Sequence, residues 1–322
     1  MVHLPAPMPP CRMQDGCLIH TVLRSGDGIR AYLRHVLHFP SHTTAAIPDE
    51  DITVNGAPPP QKYRLAQGDI LSVNLAERES SRIPPTDLPL SVLYEDDHVL
   101  LLNKPRNTPT HPSHGHYTDT LANGVAAWAE KRGTPFVFRP VNRLDKDTSG
   151  VLLVAKHRLA AARLAMSMTA GAVEKTYVAL LSAAPAEKVG KIALPIAREE
   201  GSVLRRTVKE GGDEAQTHYR ILAEGENGEA LALVRPLTGR THQIRVHFAA
   251  IGCPLVGDEF YGTPHPHLQG QALHARALRF PHPITGEALC AVAPLPDEWR
   301  AMLPQSGIAA LLEAESADCI PL

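Results

Sequence analysis

The chain has 322 residues, of which 43% are hydrophobic, so it is long enough for one large domain with its own core and a smaller unit. Its formal net charge is −2, which excludes a globally basic nucleic-acid binder and requires a local patch for any polyanion. It contains no secretory-type leader and no uninterrupted apolar run of about 20 residues, so we expect a soluble, cytoplasmic protein with no membrane partner.

The N-terminal part of the chain predicts a small module between two irregular segments. Residues 1–17 include four prolines, which favours disorder. Residues 18–75 combine a helical pattern in "GIRAYLRHVLHF" with short strands and turns in "DITVNGAPPPQKYRLAQGDILSVNL". The polar, proline-bearing residues 76–89 are predicted to be a linker.

The remainder predicts a large domain over residues 90–304 and a tail over residues 305–322. Strands are expected in hairpins with helices between them, which indicates an α+β fold and not a regularly alternating α/β fold. Helices are predicted in "TLANGVAAWAEKRG" and "KHRLAAARLAMSMTAG", each ended by a glycine. The segment "THYRILAEGENGEALALVRPL" is predicted to be a hairpin that turns at Asn227-Gly228.

Charged residues stand directly before a predicted core strand in "VNRLDKDTSGVLLVAK". On an extended chain Arg143, Asp145 and Asp147 point to one side and Leu144 turns into the core. A carboxylate at the start of a core strand loses water, and a neighbouring cation keeps it ionised. Such a carboxylate can act as a nucleophile or a general base. A turn of charged residues held by local ion pairs is the simpler interpretation, which the spacing alone favours.

In "PLTGRTHQIRVH" a strand is predicted to run into a helix that begins near Thr241, a suitable N-cap. Backbone N–H groups at this helix start, together with Arg240, favour an anion. Ile244 belongs to the apolar stripe of the helix. Arg245 lies at the edge of that stripe, where it can reach either a cleft or solvent.

The segment "EKTYVALL" is predicted to be a strand that carries Lys175 and Tyr177 on one face. A ring beside a cation suits a flat polar ligand such as a nucleobase. Taken alone, an ordinary half-buried strand tyrosine is the more frequent explanation.

Three histidines in "THPSHGHYTD" raise the possibility of a metal site. The spacing of His111, His114 and His116 fits no standard ligand pattern, and Pro112 and Gly115 indicate a loop. The five cysteines of the chain form no CxxC pair, so we predict no metal. A metal-dependent phosphoesterase that uses these histidines and Asp119 remains an alternative.

Taken in chain order, five segments resemble the RluA-type pseudouridine synthases over nearly all of residues 90–303. "NRLDKDTSG" is similar to the HRLD-x-x-TSG signature of that family, "KTY" to its Lys-x-Tyr strand, and "TGRTHQIRVH" to its TGR-[TS]-HQ-[IL]-R-VH helix start. "YEDDHVLLLNKP" resembles its opening strand pair and "GDEFYG" its G-D-x-x-Y-G loop. The resemblance implies a pseudouridine synthase fold, an α+β domain with a mixed, largely antiparallel sheet and flanking helices.

Residues 18–75 resemble an S-four-type RNA-binding domain in "ITVNG" and "YRLAQGDILSV". The acidic stretch of residues 48–51 stands where such domains carry a basic helix. The cations that bind RNA are therefore expected elsewhere in this module or on the large domain. Those of the module are Arg30, Arg34, Lys62 and Arg64.

The resemblance assigns roles to individual residues. Asp145 matches the catalytic aspartate, Tyr177 the ring that packs on the target uracil, and Arg245 the guanidinium paired with the aspartate. Arg143 matches the arginine that fills the space left by the extruded base. Asn142 departs from the pattern, because the family usually has histidine there. Further RNA-binding residues are expected among Lys175, Arg240, Thr241 and Ile244.

The implied reaction breaks a C1′–N1 bond, rotates the uracil and forms a C1′–C5 bond, so no cofactor is expected. The expected partner of this monomeric isomerase is structured RNA, either ribosomal or transfer RNA. A local basic face is predicted around the cleft, formed by Arg143, Lys146, Lys175, Arg205, Arg206, Arg240 and Arg245. A non-catalytic RNA-binding or assembly protein with the same cleft is the second alternative.

Overall fold

The computed structural model of the protein describes residues 4–225 and 228–300. The strands are β1 (Arg12–Gln14), β2 (Cys17–Thr21), β3 (Ile52–Val54), β4 (Ile70–Asn74), β5 (Val92–Glu95), β6 (Val99–Lys104), β7 (Arg139–Pro140), β8 (Ser149–Ala155), β9 (Glu174–Leu181), β10 (Val189–Ile192), β11 (Ile196–Arg198), β12 (Arg206–Val208), β13 (Thr217–Glu224), β14 (Ala230–Pro236), β15 (Leu273–Pro281) and β16 (Ala288–Val292). The helices are α1 (Ile29–His35), α2 (Ser41–Ala45), α3 (Leu121–Lys131), α4 (Arg158–Thr169), α5 (Gln243–Ala250) and α6 (Asp297–Arg300).

The N-terminal module is a four-stranded antiparallel sheet in the order β1-β2-β4-β3, packed with α1 and α2. Its core contains the fully buried Tyr32, Leu33 and Leu71. The expectation of disorder through residue 17 is wrong at β1, which pairs with β2. The prolines all precede this strand, so its backbone N–H groups are available for pairing.

The acidic stretch of the module forms a 3-10 turn whose carboxylates are paired within the chain. Asp49 contacts Arg30 at 2.6 Å, and Arg78 contacts Glu50 at 3.2 Å and Asp51 at 3.1 Å. The guanidinium of Arg30 also donates to two backbone carbonyls. These contacts use Arg30 inside the module, although it was a candidate RNA-binding cation.

A buried arginine of α4 joins the module to the large domain. Arg163 is 1% exposed and donates hydrogen bonds to the carbonyls of His38 at 2.9 Å, Ala6 at 2.5 Å and Pro283. Leu159, one turn earlier on α4, packs into the apolar core of the module. The module therefore lies against α4 and the β15–β16 connection.

The large domain is built on a ten-stranded sheet in the order β10-β13-β14-β9-β15-β8-β6-β5, with β16 beside β15 and β7 beside β8. Its pairs are antiparallel except β15 with β8. This confirms the predicted α+β class and the mixed, largely antiparallel sheet. A separate two-stranded ribbon consists of β11 and β12.

Helices cover both faces of this sheet because alternate strand residues point to opposite sides. Leu100 and Leu102 of β6 pack in the cluster that includes α3 and α5. Leu101, on the other side, packs in the cluster that includes α4. The two glycine-ended helices are confirmed, since α3 and α4 are followed by Gly133 and Gly171 at positive φ.

The predicted hairpin of β13 and β14 is confirmed, with Tyr219 opposite Val234. Asn227 and residues 305–322 lie outside the described residues. The proposed division at residues 76–89 stays a prediction. Among the described residues, no helix combines the length and apolar character needed to cross a membrane.

One glycine permits the parallel contact between β8 and β15. Gly150 has φ +110°, and a Cβ there would lie 2.1 Å from the carbonyl oxygen of Ala275. A side chain would therefore suffer both backbone strain and a clash with the neighbouring strand.

Gly150→Ala should lower the free energy of unfolding by at least about 3 kcal/mol, because strain and overpacking add. Gly133→Ala is the matched control, since it has φ +65° but open space around its Cβ position, and should cost about 1–2 kcal/mol. Urea unfolding of both variants measures the difference. Equal losses of unfolding free energy in the two variants would show that β8 and β15 can move apart to admit the methyl group without destabilising the protein.

Candidate active site

The predicted site residues line one cleft of about 440 Å³, which lies between the segment before β8 and the start of α5. The structure brings together all eight of them, which come from three separate parts of the sequence. The lining includes Arg143, Asp145, Lys175, Tyr177, Arg240, Thr241, Ile244 and Arg245.

The segment between β7 and β8 is held by side chains that form hydrogen bonds with backbone groups. Asn142 is buried, donates to the carbonyl of Val151 at 3.1 Å and accepts from the N–H of Leu153 at 2.8 Å. Leu144 is buried as predicted, and its carbonyl accepts from the hydroxyl of Thr110. Asn142 therefore anchors the loop through neutral hydrogen bonds, which need no titrating group.

Lys104, at the end of β6, fastens the other side of this segment. Its side chain is fully buried, and Nζ donates to the carbonyls of Pro105, Thr108 and Lys146 at 2.8–2.9 Å. Burial lowers the pKa of Lys104 to about 7, while the nearby carboxylates of Asp147 and Asp145 act in the opposite direction. The contact with Lys146 restrains the backbone directly beside Asp145.

The carboxylate of Asp145 faces Arg245 of α5, with 3.2 Å between Oδ2 and Nη1. The Asp145 side chain remains 30% exposed, whereas that of Arg245 is 6% exposed. A second carboxylate, Asp258, binds Arg245 with both oxygens at 2.7 and 2.8 Å and is itself fully buried. Burial by itself lowers the pKa of Arg245, but Asp258 and Asp145 outweigh it and raise the pKa overall. Arg245 is therefore a permanent cation beside Asp145.

Tyr177 of β9 forms another wall of the cleft, on the same strand face as Lys175. Burial, and then the charge of Asp145, raise the pKa of the Tyr177 phenol, so the ring is neutral. Burial also lowers the pKa of Lys175, whose Nζ lies 3.4 Å from the carbonyl of Thr238. The cleft thus combines an aromatic wall with a cation at its edge.

The turn before α5 differs from the prediction. The helix begins at Gln243, and Thr241 is exposed and is not its N-cap. The N-cap position is His242, which makes no side-chain capping bond. The Gln243 side chain holds the turn before the helix, accepting from Thr238 Oγ1 at 2.6 Å and from the N–H of Arg240 at 3.0 Å. The Arg240 N–H is therefore occupied, which weakens the expectation of an anion site there.

Four residues of the site received no role from the sequence. His242, in the left-handed conformation with φ 57°, has Nε2 3.8 Å from Asp145 Oδ2. Tyr261 accepts from the N–H of Arg206 and contacts His242 Nδ1 at 2.9 Å. Asp258 and Lys104 complete the set. Each belongs to a segment quoted above, "PLTGRTHQIRVH", "GDEFYG" or "YEDDHVLLLNKP". The spacing of these segments along the chain does not predict which of their side chains contact one another.

Four of the seven cations of the predicted basic face line this cleft: Arg143, Lys175, Arg240 and Arg245. Besides Arg245, two of the seven are paired with carboxylates, since Arg205 contacts Glu199 at 3.0 Å and Arg240 contacts Asp213 at 3.8 Å. Arg143 is exposed at its lining, and Arg240 is exposed on its other side. The Arg205 guanidinium lies 5.8 Å from the centre of the Tyr261 ring. A local positive surface can attract phosphates although the net charge of the chain is −2.

The three histidines of the loop after Thr110 do not converge. His111 packs on Phe138 with 5.8 Å between ring centres, and His116 pairs with Asp119. Across residues 4–225 and 228–300, no group of three histidine, cysteine or acidic side chains is placed to hold a metal. This geometry gives the phosphoesterase alternative no support.

Comparison with known proteins identifies one family. Residues 98–250 match the family model for RNA pseudouridylate synthase. The uncharacterized RNA pseudouridine synthase YhcT of Bacillus subtilis is 37% identical over 89% of this chain and 92% of its own. Ribosomal large subunit pseudouridine synthase D of Xanthomonas campestris is 36% identical over 79% and 80% of the two chains. The structure of human RNA pseudouridylate synthase domain containing 1 superimposes with a TM-score of 0.59 at 28% identity, covering 74% of this chain and 99% of that one.

Asp258→Asn should destabilise the protein by about 3 kcal/mol or more, because it leaves the buried Arg245 without most of its countercharge. Asp97→Asn is the control, since Asp97 is exposed in the β5–β6 turn and should change the unfolding free energy by less than about 0.5 kcal/mol. Denaturant unfolding at pH 7 compares the two. A loss below about 1 kcal/mol would mean that Asp145 alone compensates Arg245.

Lys104→Met should reveal a pH-dependent penalty. The folded pKa of about 7 lies below the ordinary lysine pKa of 10.5, so between these pH values the unfolded chain binds more protons and stability rises with pH. Wild-type stability relative to Lys104→Met should therefore increase between pH 7 and pH 9.5. A difference that does not change with pH would show that the three carbonyls keep Lys104 charged.

Proposed function

The chain belongs to the RNA pseudouridine synthase family, and we propose from the geometry of its cleft how it isomerises uridine and in which RNA. As an RNA pseudouridine synthase it is an isomerase. The observation that carries the proposal is Asp145, 30% exposed in a nucleoside-sized cleft that the buried cation of Arg245 and the ring of Tyr177 also line. Clefts of this volume are typical for small ligands.

The target uridine must leave its stack to reach Asp145, at a cost of a few kcal/mol. The depth of the cleft supports this, since Tyr177 is buried and a base still in a helix cannot contact it. Arg143, exposed at the mouth, is suited to fill the vacated space by stacking on neighbouring bases. Tyr177 would pack against the flipped uracil, which its neutral phenol allows without repulsion.

Asp145 would act on the ribose–uracil unit as an anion. It either attacks C1′ as a nucleophile or removes the C2′ proton as a base, and both routes need the ionised carboxylate. Arg245 supports that state because a cation in contact with a carboxylate favours its charged form. Asp258 supplies Arg245 with a separate partner, so Asp145 can turn toward substrate without leaving Arg245 unpaired.

We propose ribosomal RNA of the large subunit as the substrate, because relatives at 36% identity are named for that activity. Lys175, Arg240, Thr241 and Ile244 would contact the RNA around the target, since all four line the cleft. Action as a monomer stays a prediction. A cytoplasmic location stays a prediction.

Asp145→Asn should abolish conversion, because the amide keeps the shape of the side chain but is neither nucleophile nor base. We expect loss of at least about a thousandfold in rate. The measurement maps pseudouridine across total RNA from cells that lack the gene, complemented with wild type, Asp145→Asn or the control Asp97→Asn.

Wild type and Asp97→Asn should restore the same uridine sites, and Asp145→Asn none. Restoration by Asp145→Asn would instead favour the non-catalytic RNA-binding alternative. Sites confined to transfer RNA would contradict the proposed ribosomal substrate while leaving the isomerase activity intact.

A further inference from the structure

We propose that His242 is a catalytic hydrogen-bond donor of this reaction, held by Tyr261 in the tautomer that carries its proton on Nε2 and directed at a carbonyl oxygen of the departing uracil. The inference deepens the proposed function and rests on it. The motif comparison gave His242 no role, and the ion pair between Asp145 and Arg245 does not need it.

The backbone places His242 in an unusual conformation directly before α5. Its φ of 57° and ψ of 18° lie in the left-handed region, which a residue with a side chain enters at a cost of about 1–3 kcal/mol. The result is that the imidazole lines the cleft instead of continuing the helix. Nε2 lies 3.8 Å from Asp145 Oδ2, too far for a hydrogen bond but close enough for both groups to contact the same ligand in the cleft.

The other ring nitrogen determines where the proton lies. The hydroxyl oxygen of Tyr261 accepts from the backbone N–H of Arg206 at 2.8 Å. The remaining contact of that hydroxyl in the described part of the chain is His242 Nδ1, at 2.9 Å. A phenol has one proton to donate, and Nδ1 is the acceptor that the described residues offer to it, so we assign this proton to Nδ1. A neutral imidazole whose Nδ1 accepts must carry its hydrogen on Nε2, the nitrogen that faces the cleft.

The surroundings keep this imidazole neutral. Burial lowers the pKa of His242, and the positive charges of Arg245 and Arg206 act in the same direction. Asp145 and Asp258 raise the pKa but do not outweigh burial. The rings of Phe260 and Tyr261 pack against the imidazole at centre distances of 5.8 and 5.7 Å. At neutral pH the residue is a fixed donor and not a second cation.

The reaction requires such a donor. When the C1′–N1 bond breaks, its electron pair moves to the uracil, and the negative charge spreads over the ring nitrogen and the two carbonyl oxygens. The C1′–C5 bond then forms, C5 releases its proton to solvent and N1 takes up a proton from solvent, so the net change is an isomerisation. His242 keeps its own proton throughout and stabilises the transient charge through Nε2–H. Preorganised donors of this kind contribute about a hundredfold to a thousandfold in rate.

The test is a double-mutant cycle that uses the full-length protein and total RNA from cells lacking the gene, with pseudouridine measured at the mapped sites. His242→Asn keeps the left-handed backbone, which asparagine tolerates, but is too short to reach the cleft. His242→Gln can still present an N–H. Tyr261→Phe keeps the ring beside Arg245 and removes the hydroxyl. The fourth protein combines His242→Gln with Tyr261→Phe.

His242→Asn should lower kcat about a hundredfold with little change in KM, and His242→Gln should recover part of the loss. Tyr261→Phe should lower kcat severalfold, because the imidazole then samples both tautomers. In the His242→Gln background the same change should have little effect, because an amide N–H does not depend on Tyr261. Unfolding midpoints of all variants identify losses that come from misfolding.

Equal kcat values for wild type and a folded His242→Asn would overturn the inference. So would additive losses in the double variant, since Tyr261 would then act independently of His242. A change confined to KM would assign His242 to binding and also contradict the proposal. If wild type itself formed no pseudouridine, the proposed function would fail and this inference with it.

Discussion

The site depends on one buried guanidinium shared unequally between two carboxylates. Removing Arg245 from water is costly unless a countercharge accompanies it. Asp258, fully buried and bonded through both oxygens, provides that countercharge. Asp145 makes a single contact at 3.2 Å and keeps 30% of its side chain exposed. The division separates the two requirements of the site, since one carboxylate stabilises the fold and the other stays accessible for chemistry.

Positioning Asp145 requires a rigid loop as well as a charge partner. Three sets of hydrogen bonds immobilise the segment around it. Asn142 bonds to the backbone of β8, Thr110 donates to the Leu144 carbonyl, and Lys104 donates to the Lys146 carbonyl. Two of the three anchoring groups are neutral, and none competes for the Asp145 carboxylate. Such preorganisation matters because small errors in the position of a reacting group cost large factors in rate.

The N-terminal module meets the large domain through a similar device. Arg163 of α4 is buried and bonded to carbonyls of both units. The guanidinium holds its donors in a rigid fork, so hydrogen bonds to carbonyls of both units fix how the two units are oriented. Within the module, the pairing of Arg30 with Asp49 shows that cations in the sequence are not automatically available to RNA. Any cation by which this module contacts RNA is therefore expected to be one other than Arg30.

The sequence by itself determined the features that depend on neighbouring residues. Helices ended by Gly133 and Gly171, the burial of Leu144 and the placing of Lys175 with Tyr177 follow from local periodicity and backbone preferences. The eight residues that the motifs singled out all line the cleft. Only the tertiary structure decided that Asp258 binds Arg245, that Gln243 holds the turn before α5, and that the Tyr261 hydroxyl contacts His242 Nδ1. These are contacts between separate elements whose distances arise only after the sheet has formed, so no spacing along the chain encodes them.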